Sequence, residues 1–187
     1  MTAIRSALVA AAFLVGCATP WKVVRQADPN PFSGAREFGL EPLVFDGLRV
    51  GSGTEATYLS GKDAADVAAW HEGKAALEGE MRAGLAGALQ RHPLLAPGAA
   101  RWSLRPNVTF IEPAITKVEM TLFLVDAQSD SVLDEVRFEC IEKPGQTSGL
   151  MVSQVPTGQS VGERVRACGR RLGEQAAEYL RARTGVD

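Results

Sequence analysis

The sequence predicts an α+β fold: one mostly antiparallel four-stranded sheet with two helices packed on one face, in the order β-α-β-β-β-α. Three observations predict it. Val118, Met120, Leu122 and Leu124 alternate along 116–127, and Val136, Phe138 and Cys140 alternate with Arg137 and Glu139 along 132–142. That is the period of half-buried strands. Gln128-Ser129-Asp130-Ser131 joins the two runs, as in an antiparallel hairpin. Two apolar stripes at helical spacing, Val67 to Ala88 and Val161 to Leu180, then supply the second layer over one core.

Composition sets the frame for those elements. A chain of 187 residues with 45% apolar content has enough material for one domain with a proper core. A formal net charge of −2 gives no global reason to expect nucleic acid as a partner.

Met1 to Arg5 provide a free amine and one arginine, and Ala7 to Val15 are all apolar. Nine such residues are too few to span a bilayer, which takes about 20. The segment therefore has the form of a secretory leader. It closes on Leu14-Val15-Gly16-Cys17, which resembles the lipobox of bacterial lipoproteins. The resemblance implies that 1–16 is removed and that Cys17 carries a diacylglyceryl group. Stable anchoring takes at least two acyl chains. Ala18 stands where an inner-membrane retention signal would have aspartate, so the resemblance implies the periplasmic face of the outer membrane.

Pro20, Pro29, Pro31, Gly34 and the cluster Asp28-Pro29-Asn30-Pro31 interrupt any periodicity before Arg36. The expectation is a flexible lipid-attached tether over 17–38 and one globular periplasmic domain over 39–187. Trp21, Val23 and Val24 are placed either at headgroup level or against the domain.

Leu40 to Val50 reads as the first strand, with Leu43 and Phe45 on one face. Ser60 to Asp63 has the form of a capping box, with Ser60 as N-cap of the first helix. Trp70, Leu77, Met81 and Leu85 form its stripe, and His92-Pro93 is its expected end. Gly73, Gly79, Gly84 and Gly87 weaken it, by up to about 1 kcal/mol each against alanine, unless close packing uses them.

Trp102 to Ile111 is the next strand, followed by the hairpin. The stretch 143–160 reads as loop, with Leu150-Met151-Val152 as a short edge segment. The closing helix is expected from Gln159 to Arg183. Its Cys168 faces inward, as Cys140 does on its strand. Two further cysteines in an oxidising compartment suit a disulfide. A bridge between them is one reading and two buried thiols the other.

At the level of element order, the span from Leu40 to Arg183 is similar to small bacterial envelope lipoproteins. It is more distantly similar to the curli-secretion lipoprotein and the amino-terminal domain of the Tol-system propeller protein. Asp126-Ala127-Gln128-Ser129 between two strands, and Ala176 with Tyr179-Leu180 in the terminal helix, carry that resemblance. It implies an assembly role and no catalysis.

The chemistry sought in the chain is sparse. Gly51-Ser52-Gly53-Thr54-Glu55-Ala56 fits a dinucleotide fingerprint formally, but reads as a flexible turn outside a βαβ unit. His71-Glu72 opens like a zinc-protease motif, yet Ala75 stands where the second histidine belongs. With His71 and His92 the only histidines, a histidine-rich metal site is not available. No serine sits in a G-x-S-x-G elbow, and Asp134-Glu135 reads as a pair of solvated charges.

Arg164, Arg166, Arg170 and Arg171 form the one concentrated charge feature, a candidate surface for anionic lipid or an acidic partner. The expectation is a lipid-anchored accessory module without catalytic residues, metal or cofactor other than the lipid. Its partners are the membrane and an envelope protein. The alternative is a carrier or sensor of a small apolar ligand.

Overall fold

The computed structural model describes residues 20–90, 93–142 and 161–185. Cys17 and the expected leader before it, His92, and the 143–160 stretch with Leu150-Met151-Val152 and Gln159 lie outside the described residues.

The hairpin forms as its alternation requires. Strands β7 (Lys117–Asp126) and β8 (Ser131–Ile141) pair antiparallel, and β7 pairs antiparallel with β6 (Trp102–Glu112) on its other side. Their registers line up Ile111, Val118 and Cys140 in one row, and Val108, Met120 and Phe138 in the next, all buried. The row between them, Phe110-Glu119-Glu139, and the row Arg105-Phe123-Glu135 further along reach solvent on the other face. One face is thus buried and the other wet, the ordinary arrangement for antiparallel strands.

The sheet is larger and more mixed than the expected four antiparallel strands. The predicted first strand is a broken one: β2 (Phe38–Leu40), a bridge at Val44, and β3 (Arg49–Val50) run parallel to β6. Pro42 and the turn at Asp46-Gly47 interrupt it, since proline has no N–H to donate and Gly47 takes φ +69°. Pro106, inside β6, fits for a related reason. Its carbonyl accepts from Val44 N, and a strand residue's N–H and C=O point to the same side. The missing donor therefore faces the interrupted neighbour and not β7. The pairing is parallel because the chain returns through helices, a crossover and not a tight turn.

Two more pieces enlarge the sheet. β5 (Leu94–Leu95) lies parallel beside β2, and β1 (Trp21–Arg25) pairs antiparallel with β8. β1 corrects the expectation of a flexible tether over 17–38 for its described part, from residue 20 on. The remaining residues to Glu37 are also held, with Phe32 fully buried against Trp102 at a ring separation of 5.2 Å. Scattered prolines had the look of a linker, but here they shape a strap.

Between β3 and the long helix, β4 (Gly53–Thr54) pairs back on β3, and a short helix α1 (Glu55–Leu59) follows at once. The glycine turn is therefore part of a small antiparallel hairpin. Helix α2 (Ala64–Ala88) is capped by Asp63, whose side chain accepts from Asp66 N. Ser60 instead closes α1 as its C-cap, and α2 ends at Ala88, before the expected stop at Pro93.

Helix α3 (Val161–Thr184) lies on β7 and β8, and α2 packs along α3 in the same direction. The two approach at backbone distance. A Cβ on Gly73 would stand 2.7 Å from the Cα of Gly162, and one on Gly169 would stand 2.6 Å from the Leu77 carbonyl oxygen. Gly84 and Gly173 are as tight, against Arg170 and Met81, whereas Gly79 and Gly87 face open space. So two of the four glycines in α2 serve close packing. The disulfide Cys140–Cys168 ties α3 to β8, with Cα atoms 5.5 Å apart.

Candidate functional site

The arginines of α3 are not presented together. Arg164 turns to the β6–β7 turn, donating from Nε to the Thr116 hydroxyl at 2.6 Å and from its other end to the Pro113 carbonyl. Arg171 reaches the end of β8, pairing with Glu142 at 2.8 Å and donating to the Ile141 carbonyl. Arg170 bridges the helices to Glu80 at 3.2 Å. Arg166 alone of the four has no partner among the described residues, and it is exposed. It lines a groove of about 410 Å³ with Glu80, Glu163, Arg170 and Glu174. Acids and bases alternate there, so the surface is mixed in sign and not a basic patch.

A second constellation lies at the far end of α3. Asp134 is fully buried, and it corrects the reading of Asp134-Glu135 as solvated charges. It follows from parity: Asp134 shares the inward phase of Val136, Phe138 and Cys140 on β8. Its carboxylate accepts from the Tyr179 hydroxyl at 2.6 Å, from Arg183 Nε at 2.7 Å and from the Ala27 amide at 2.8 Å. Arg183 in turn donates to the Ala27 carbonyl, and its own carbonyl accepts from the Asn30 side chain. Burial and the hydrogen bond to Asp134 push the Tyr179 phenol well above its usual range. The phenol stays a neutral donor, so this cluster is a latch: α3, β8 and the strap are held by one buried ion pair.

Other polar contacts among the described residues tie elements of the fold together. Arg181 donates to the Ala88 carbonyl at 3.2 Å, closing the end of α2. Glu55 accepts from Trp70 and Lys74; burial opposes its charge, but these bonds hold its carboxyl below the ordinary value. The sulfurs of Cys140 and Cys168 lie within 4.8 Å of a Glu142 carboxylate oxygen, a spacing that a metal ion would fit. The disulfide leaves no thiolate there to ligate one. His71 is exposed on α2.

Beside the first residues of β1 a cleft of about 510 Å³ opens, lined by Trp21, Lys22, Arg137, Phe138 and Gln175. Trp21 packs edge-on to Tyr179 at 6.0 Å, which decides for docking on the domain, while Val23 and Val24 remain exposed.

No family model matches the chain, and no curated protein matches it. Among solved structures it is similar to the PelC dodecamer from Paraburkholderia phytofirmans. That likeness has 10% identity and a TM-score of 0.40, covering 83% of this chain and 96% of the other. It is also similar to a Xanthomonas campestris protein of the DUF330 family model. There the identity is 12% and the TM-score 0.35, covering 85% of this chain and 89% of the other. At these scores neither likeness bears on what the chain does.

Proposed function

We propose that the chain is an envelope lipoprotein, held by lipid on Cys17 at the periplasmic face of the outer membrane, whose domain binds another envelope protein without catalysis. The lipobox Leu14-Val15-Gly16-Cys17 carries the reading. The disulfide supports it, because such bridges persist in oxidising compartments. Among the described residues no helix is long and apolar enough to cross a membrane, so the acylated terminus is the attachment this reading uses. The mixed-charge groove around Arg166 is the surface offered to the partner. Charges of both signs favour register and partner choice over general affinity.

Copurification from membranes solubilised in mild detergent tests the partner. A stoichiometric second protein is expected, and Arg166→Glu should weaken its recovery. A lone monomer recovered under those conditions would count against the binding role.

A further inference from the structure

We propose that the end of the sheet bearing Ile115 and Ile141 is seated against the lipid surface, with both side chains in the boundary between headgroups and acyl chains. The proposal rests on the acylation of Cys17 proposed above, and adds how the domain is oriented.

The length of chain outside the structure is the first argument. β1 begins at Trp21, so four residue steps separate Cys17 from a strand fixed in the sheet. Four residues reach at most about 14 Å. A tether of twenty residues would let the domain turn freely above the bilayer. This one brings a particular part of the surface to it.

Direction is the second. β1 runs antiparallel to β8 with Trp21 opposite Phe138, so β1 starts on the side of the sheet where β8 finishes at Ile141. Lys117 is paired with Ile141 and Glu112 with Lys117, which puts the β6–β7 turn at that same end. Ile115 lies in this turn.

Exposure is the third. Four large apolar side chains are exposed among the described residues: Val23 and Val24 on β1, Ile115 at 48% and Ile141 at 39%. Scattered exposed apolar residues need no explanation. These two isoleucines share the one end that the short connection draws to the membrane, and the opposite turn at 127–130 exposes none. Arg164 and Arg171 sit beside them, but Glu142 offsets Arg171, so apolar insertion and the short connection hold the seat more than charge does.

The test uses the full acylated chain in vesicles of phosphatidylethanolamine and phosphatidylglycerol whose acyl chains are brominated near the headgroup. Ile115→Trp, Ile141→Trp and, in the opposite turn, Ser129→Trp are compared with the parent. Added emission from the first two should fall about twofold, as for side chains buried at the boundary, and that from Ser129→Trp should not change. If intact mass shows the diacylglyceryl group and both isoleucine-site tryptophans stay unquenched, the seat is wrong and the anchor stands. Shielding of these sites only by a copurified protein would likewise overturn it. A bare thiol at Cys17 would overturn the anchor and the seat together.

Discussion

Asp134 ties the N-terminal segment to α3, beside the β1–β8 pairing and the burial of Phe32. Its carboxylate has no exposure, and Arg183 has 11%, so the pair is buried and each partner answers for the other's charge. Replacing both by apolar groups can be neutral, but removing one leaves an uncompensated charge in the interior. Asp134→Asn should therefore cost about 3–5 kcal/mol in urea unfolding. Tyr179→Phe, which removes one hydrogen bond to the same carboxylate, should cost about 1–3 kcal/mol. Equal and small losses for the two would mean that the ion pair does not carry the latch. Strand parity with Val136, Phe138 and Cys140 carries the signal that Asp134 faces inward, and the reading of solvated charges passed over it. Its partners were not legible, because Ala27 and Arg183 are 156 residues apart in the chain and nothing local links them.

At the scale of elements, the helix pair is the feature with opposite signs built in. Gly169 has the Leu77 carbonyl where a Cβ would go, and backbone cannot step aside as a flexible side chain can. Gly169→Ala should destabilise by about 1–3 kcal/mol, through forced separation of α2 and α3. Gly79→Ala, on the open side of α2, should stabilise by up to about 1 kcal/mol, since alanine is the better helix former. Thermal unfolding of the two variants settles whether the glycines act as spacers; a shift of the same sign in both would sink the idea. The sequence announced both helices and the hairpin, because long periodic runs average over local noise. It concealed β1 and the break in the first strand. Five residues of β1 have no alternation to read, and parallel pairing with β6 depends on a crossover that only tertiary packing fixes.

For the whole molecule, the strap changes what the proposed anchor means. The sequence suggested a domain on a long leash. With β1 paired to β8 and the strap latched to α3, Cys17 lies within a few residues of the folded body. The candidate surface was only half legible. The arginine cluster was visible as residues, but its division among Thr116, Glu142 and Glu80 is set by which loops and helices surround α3. What the chain does therefore hangs first on whether Cys17 is the attachment point. The most direct measurement is membrane fractionation of Cys17→Ala beside the parent. Loss of the variant to the soluble fraction, with its disulfide and thermal unfolding unchanged, is the predicted result. A variant that stays with the membranes after a salt wash would contradict the account.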